Sequence, residues 1–215
     1  MIKRSLIPLF VIVFICSFAD NVFAKFTDKP RFRLEQLYRC DLKTNKSNLY
    51  INRFNATLNY KIERWNQEFK IIPYIENQLN IEHEVWIRNE FGVELGRDIT
   101  SWMYFGQNFH YADLKEDDRD REDFRRGNRA EWRSRLKFHL PLIKEKDTGE
   151  VKLRGYVLNE YTYNLEDGKG YKNEVVIGAV VSIIKDIELN VDWRHIDRVN
   201  YYDSDNAEFS CTLLF

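Results

Sequence analysis

The sequence predicts an all-β fold, an antiparallel up-and-down transmembrane β-barrel of about ten strands, with eight or twelve as the alternatives. Three observations predict it. Hydrophobic and polar residues alternate along nearly the whole chain, short and long polar connections alternate between the segments, and the chain stops at an aromatic residue after an alternating apolar stretch. A period of two places successive side chains on opposite faces of a strand, whereas a helix needs apolar residues three and four apart.

Residues 1–24 are predicted to be a secretory signal peptide. Lys3 and Arg4 form a positive start, and an apolar run from Leu6 to Phe18 has the length of a secretory core. The run is shorter than the roughly 20 apolar residues of a transmembrane helix, which argues against the alternative of an uncleaved anchor. Ala24 offers the small residue for cleavage, so residues 25–215 are expected to form the mature outer-membrane barrel domain.

Turn chemistry divides the mature chain into ten predicted strands. They lie near Arg31–Cys40, Leu49–Glu63, Glu68–Asn80, Trp86–Arg97, Thr100–Ala112, Asn128–Leu140, Val151–Asn164, Tyr171–Ile184, Ile187–Val199 and Ala207–Phe215. No glycine or tight turn marks the reversal inside Phe69–Leu95, and Pro73 suits a central strand poorly because it has no backbone N–H. The mixed-charge segment Asp113–Gly127 is the longest connection, and it is expected to be exposed outside the cell because membrane barrels carry their longer loops there.

Alternation alone does not separate a membrane barrel from a soluble one, because the two exchange inside and outside. The last strand favours the membrane, since its apolar positions resemble the C-terminal signal that the barrel assembly machinery of outer membranes reads: Phe209, Cys211, Leu213 and Phe215. An ordinary edge strand is the alternative. Aromatic residues near predicted strand ends favour it too, because girdles of rings lie at membrane interfaces: Trp65, Trp86, Tyr111, Trp132, Tyr163 and Tyr201.

Composition excludes several classes of function. The net charge is −1, so no basic surplus indicates a nucleic-acid partner. After the predicted cleavage two cysteines are left, Cys40 and Cys211, and export would permit a disulfide between them. Two distant cysteines alone do not establish one, and they lack metal-ligand spacing. The sequence therefore predicts no cofactor and no metal, with outer-membrane lipid and the assembly machinery as the partners.

The second half of the chain resembles a known family. The resemblance rests on the segments Arg129–Leu136 and Gly155–Glu160 and on the closing hairpin with Val191-Asp192-Trp193-Arg194. In these segments the chain is similar to a family of small bacterial outer-membrane barrels of unknown function. The resemblance covers Arg129 to Phe215 and implies the barrel fold and the outer-membrane location, and it brings no activity with it.

No catalytic site is recognisable. A lipid esterase needs a serine near a histidine that a third group orients, and none of His83, His110, His139 and His195 is followed two residues later by serine. His195 is interpreted as an interfacial ring and His139 as solvated at the lumen's periplasmic rim. The sequence favours a non-enzymatic barrel, structural or contacting ligands through its outer loops. A lipid-modifying enzyme with an unrecognised site is the alternative, and a soluble periplasmic barrel that binds an apolar ligand is a third.

The polar face predicts a charge cluster in the lumen. Glu160 and Glu174 lie seven residues on either side of Asp167, so a hairpin centred there places them opposite each other. Two such carboxylates repel in a desolvated space. Arg133 and Arg135 point into the same lumen, and an arginine fork can hold carboxylates bidentately. We expect the four residues to close the lumen at mid-height as a charge plug, with a proton-handling site as the alternative.

Overall fold

The structure is a computed structural model of the 215-residue chain. It describes residues 24–26, 28–43, 48–62, 66–82, 84–114, 127–145, 150–199 and 203–215. The strands are β1 (Ala24–Phe26), β2 (Arg31–Asp41), β3 (Leu49–Ile62), β4 (Gln67–Asn80), β5 (Val85–Thr100), β6 (Met103–Leu114), β7 (Gly127–Lys144), β8 (Val151–Asn164), β9 (Lys169–Ile184), β10 (Ile187–Arg198) and β11 (Ser204–Leu214). No helix among the described residues is long and apolar enough to cross a bilayer.

The ten long strands form a closed antiparallel barrel. Each of them pairs with its neighbours in sequence, and β11 pairs with β2 to close the ring. The short β1 pairs with β3 beyond the start of β2, so it continues the same edge after an interruption near Pro30. The predicted all-β up-and-down barrel and its ten strands are confirmed. The predicted signal peptide lies outside the described residues except for Ala24 in β1.

Two turns differ from the prediction. The reversal predicted at Asp98-Ile99 lies instead at residues 101–102, because β5 continues to Thr100. Likewise β7 continues to Lys144, so the connection to β8 is shorter than the predicted Pro141–Glu150. The unmarked reversal inside Phe69–Leu95 lies between the end of β4 at Asn80 and the start of β5 at Val85, and Glu84 there has a positive φ of 52°.

The two ends of the barrel carry connections of different length. The strand ends that include Arg31 and Phe215 form what we call the terminal end, where the turns between β5 and β6 and between β9 and β10 have two residues each. At the opposite end, the loop end, every connection between successive strands has at least four residues, although the connection between β7 and β8 at the terminal end has six. The longest of them joins β6 to β7, and its residues 115–126 lie outside the described residues.

The wall of the barrel is charged inside and apolar outside. In β11 the side chain of Glu208 is fully buried, whereas that of its neighbour Phe209 is 50% exposed. The same alternation makes most buried side chains polar or charged, while the exposed large side chains are mainly aromatic and aliphatic. A soluble barrel would place the apolar side chains inside, so this distribution is the inverse of a soluble core.

Two positions in the sheet, Pro73 and Gly178, depart from the regular strand pattern for identifiable reasons. Pro73 pairs with Val93 of β5, but the β3–β4 pairing breaks between Asn55–Tyr74 and Leu58–Ile71, beside the proline that cannot donate. A Cβ on Gly178 would lie 2.8 Å from Cζ of the inward-facing Tyr156. Glycine on the neighbouring strand therefore makes room for a tyrosine ring to lie flat against the lumen wall.

Candidate functional site

The lumen encloses a cavity of about 390 Å³. Among the described residues, cationic side chains outnumber anionic ones around it. The cations are Arg33, Arg39, Arg53, Arg88, Arg129, Arg133, Arg135, Lys137, Lys172, Arg194 and Arg198. The anions are Glu35, Glu76, Glu94, Glu160, Glu174, Asp192 and Glu208. A chain with a net charge of −1 thus surrounds its cavity with an excess of positive groups.

The structure places all four residues of the predicted cluster in the lumen. Glu160 pairs in register with Glu174 on β9 and with Arg135 on β7. Nη2 of Arg135 lies 2.6 Å from Oε2 of Glu160, and Nε of Arg133 lies 3.6 Å from Oε1 of the same carboxylate. Both glutamates are only 3% exposed. Arg135 also donates to Glu94 of β5 at 2.7 Å, so its guanidinium joins two walls of the barrel.

Glu174 has different partners from those expected. Its carboxylate pairs with Lys172 of the same strand and with Arg194 of β10. Nε of Arg194 lies 2.8 Å from Oε1 of Glu208, which also pairs with Arg39. The repulsion between the two opposed glutamates is therefore relieved on separate sides, by β7 for one and by β10 for the other. Alternation places these inward residues, but it does not predict which of them touch.

A second cluster lies on β5, β6 and β7 toward the loop end. Glu131 is fully buried, and its Oε2 lies 2.6 Å from Nε2 of His110 and 3.1 Å from Nη2 of Arg88. Glu90 lies 2.7 Å from the same arginine and 3.0 Å from Nη2 of Arg133. The cluster was not predicted from the sequence. The signal that could have found it is the shared inward parity of these charged positions on three consecutive strands.

The terminal half of the lumen contains one cation without a close acid. Arg33 and Arg53 each lie 3.5 Å from Glu35, and Arg53 also donates to Glu76 at 2.6 Å, so both guanidinium groups have acidic partners. Lys137 packs over the ring of Tyr156, with Nζ 4.3 Å from the ring centroid. No carboxylate of a described residue lies within 4.0 Å of the Lys137 amine. His139 at this end points inward and is half-buried rather than fully solvated as expected.

One polar cluster lies on the outer face near the loop end. Nδ1 of His195 lies 2.8 Å from Oδ1 of Asp205, whose other oxygen lies 2.8 Å from Nζ of Lys43. The imidazole stacks on Trp193 with 6.0 Å between the ring centroids. The interfacial position expected for His195 therefore comes with a carboxylate that orients the ring. No contact to a serine or cysteine is present among the described partners of this histidine.

The closing strand displays the predicted assembly residues on the outside. Phe209, Cys211, Leu213 and Phe215 are all exposed. The last residue is held by a backbone pair with Phe32, in which its N–H donates at 3.0 Å and its carbonyl accepts at 3.3 Å.

The two cysteines do not form a disulfide. Cys40 lies opposite Ala207, four residues along β11 from Cys211. The separation of about 13 Å that this spacing implies along a strand is too large for a disulfide. Among the described residues, no group of three or more His, Cys, Asp and Glu side chains could hold a metal ion.

Comparison with solved structures finds bacterial and designed barrels. The NanC porin is 13% identical, with 85% of this chain and 98% of that chain covered and a TM-score of 0.46. The KdgM porin in complex with disordered oligogalacturonate is 10% identical, with 86% and 97% covered and a TM-score of 0.41. The translocator domain of the autotransporter NalP from Neisseria meningitidis is 8% identical, with 98% and 97% covered and a TM-score of 0.37.

No protein-family model matches the sequence, and no curated protein does. The similarity to these solved structures does not assign a ligand or an activity to the chain.

Proposed function

We propose that the chain is a non-enzymatic β-barrel of the bacterial outer membrane, exported with a signal peptide cleaved after Ala24. The observation that carries the proposal is the inverted wall, which is charged toward the lumen and apolar toward the outside. Exposed apolar side chains on every barrel strand are costly in water and favourable in lipid. Outer-membrane lipid is then the partner of this face, and the closing strand presents Phe215 to the assembly machinery.

The lumen acts as a charge plug in this proposal. The interior of a barrel widens with strand number: eight strands leave an interior that side chains fill, and 16 to 18 strands leave an aqueous channel. A barrel of about ten strands should therefore have an interior that is largely filled by side chains. Arg135 joins Glu94 to Glu160 across the wall from β5 to β8, and Arg194 joins Glu174 to Glu208. These pairs tie strands together from inside and obstruct a wide pore. Contacts with outside ligands then belong to the loop end.

Fractionation with gel migration tests the proposal. A folded membrane barrel resists SDS and migrates differently before and after boiling, so we expect heat-modifiable migration of a band in the outer-membrane fraction. Deleting Phe215 should reduce the assembled fraction, because it removes the aromatic end of β11 and its backbone pair with Phe32. Phe215→Tyr is the matched control and should assemble normally. A detergent-independent protein in the soluble periplasm would contradict the proposal and favour the soluble barrel.

The second candidate is a lipid-modifying enzyme, and one observation favours it. His195 and Asp205 form an oriented pair on the outer face near the loop end, where a lipid headgroup would lie. A carboxylate on Nδ1 leaves Nε2 available as a base, which is the first requirement for activating a nucleophile. The nucleophile would then be water or a group of the lipid itself.

Mass spectra of lipid A separate the two candidates. Cells with the wild-type gene, without the gene and with Asp205→Asn would be compared, with Asp203→Asn as a matched control at the neighbouring turn. A non-enzymatic barrel leaves the spectra identical in all four strains. A mass change that depends on the gene and on Asp205 would instead support the enzyme.

A further inference from the structure

One cation in the terminal half of the lumen lacks a close acid. Arg33, Arg53 and Lys137 line the cavity near this end, where Arg33 shares Glu35 with Arg53 and Arg53 also donates to Glu76 at 2.6 Å. The two arginines reach Glu35 at 3.5 Å each, while the lysine interacts with it only at longer range. Arg33 also has an unsatisfied donor, because its buried Nε has no hydrogen-bond partner among the described residues.

The strand order makes this a site between opposite walls. Lys137 lies on β7 and Arg33 on β2, which are five strands apart in the ring of ten. Both side chains nevertheless line the same lumen cavity. Two cations that face each other over a cavity repel unless an anion lies between them. The cavity of about 390 Å³ is much larger than the share of a single water molecule, so it has space for such an anion.

Neighbouring groups define what kind of anion fits. Tyr156 lies beneath Lys137, accepts a hydrogen bond at 3.1 Å from Nδ2 of Asn190 and donates one at 2.8 Å to Oδ2 of Asp192. Oδ1 of the same asparagine is buried without a hydrogen-bond partner among the described residues. Oδ1 of Asp192 also has no hydrogen-bond partner among the described residues. Two such acceptors near cations suit an oxyanion that carries a proton of its own, such as hydrogenphosphate, and the cations alone suit a carboxylate.

We infer that the terminal half of the lumen binds a small oxyanion, a phosphate or a carboxylate, between Lys137 and Arg33. The arginine offers its fork and the lysine its amine, so the anion bridges the two walls as carboxylates do elsewhere in this lumen. This ligand goes beyond the proposed plug, because it supplies Lys137 with the anion that no described residue provides within 4.0 Å.

Calorimetric titration of the refolded, detergent-solubilised barrel tests the inference at neutral pH and low ionic strength. Inorganic phosphate and acetate are titrated as the two oxyanions, and tetramethylammonium is the cation control. Saturable binding of either anion is expected, without binding of the cation. Lys137→Met should weaken the binding about tenfold, the effect of losing roughly one charge-assisted contact. Lys152→Met is the matched control, since Lys152 at the same end already has Glu145 and Glu150 within 3.7 Å.

Phosphate binding without acetate binding assigns the site to phosphate, and the reverse assigns it to carboxylates. If neither anion binds, or if Lys152→Met weakens binding as much as Lys137→Met does, the inference is wrong. Heat-modifiable migration of the same samples shows that the barrel is intact, so failure of this inference is distinguishable from failure of the proposed barrel. Should Lys137→Met not refold, Arg33→Gln replaces it, with the same expected loss.

Discussion

The loop half and the terminal half of the lumen are built from the same residue types but hold their charges differently. In the loop half, Arg133 lies among Glu90, Glu131 and Glu160, with distances from 3.0 to 3.6 Å. Four residues further along the same strand, Lys137 has an aromatic ring beneath it and no carboxylate of a described residue within 4.0 Å. One strand thus carries both an arginine within a network of acids and a lysine without a close acid, and substitutions along it should separate the two.

Arg133→Ala should have the largest effect on stability. It leaves three buried carboxylates without one of their cations, and breaking such a pair costs on the order of 3 kcal/mol. Urea unfolding of the barrel refolded into lipid vesicles, followed by tryptophan fluorescence, measures the loss. Glu160→Gln should cost less, because its amide still fills the space and accepts a hydrogen bond. Equal stability of wild type and Arg133→Ala would show that the loop half is not held by its charges.

Gly178→Ala tests the packing that supports the terminal half. The added Cβ would lie 2.5 Å from Cβ of Asp192 and 2.8 Å from Cζ of Tyr156, so a backbone-anchored neighbour must shift. We expect a loss of about 2 kcal/mol in the same unfolding assay, as for other overpacked sites. Gly155→Ala is the control, since its Cβ meets nothing nearer than 3.4 Å. If both variants match wild type, Tyr156 does not depend on the glycine.

Lys137→Met should not destabilise the barrel, in contrast to Arg133→Ala. Methionine has a similar length and removes a cation that lacks a close acid, so stability should stay constant or rise by about 1 kcal/mol. Arg135→Met is the control within the network and should be destabilised, because Glu94 and Glu160 both depend on that guanidinium. A large loss for Lys137→Met would mean that the Lys137 amine stabilises the barrel in spite of having no close acid.

Asp98→Asn should have the smallest effect. Asp98 pairs with Lys70 at 2.6 Å, but its side chain is 52% exposed at the terminal end of the barrel. Exposed pairs contribute little, so a change of no more than about 0.5 kcal/mol is expected in the same assay. A loss as large as that of Arg133→Ala would contradict the distinction between enclosed and exposed charges.

The sequence predicts faces and register better than it predicts partners. Parity alone assigns Glu160 and Glu174 to the lumen, and the centre of the hairpin at Asp167 places them opposite each other. Glu174 pairs instead with Arg194 of β10. This ion pair depends on how β9 and β10 are staggered, and the local sequence does not encode the stagger.

Turn positions, like side-chain partners, are predicted less well than faces and register. Nothing near Asp98 indicates that β5 continues to Thr100, because the strand pattern and the turn chemistry overlap there. The place of His110 in the lumen cluster was not predicted for a related reason. Its neighbours Phe109 and Tyr111 alternate with it correctly, but its partner Glu131 lies one strand away.

Quenching of tryptophan fluorescence tests the inverted wall most directly. All four tryptophans among the described residues are 39 to 50% exposed, and they are Trp86, Trp102, Trp132 and Trp193. In vesicles of lipids with brominated chains, the emission of the refolded barrel should be strongly quenched, while aqueous iodide should quench it weakly. Strong quenching by iodide with none by the brominated chains would place these rings in water and contradict the membrane barrel.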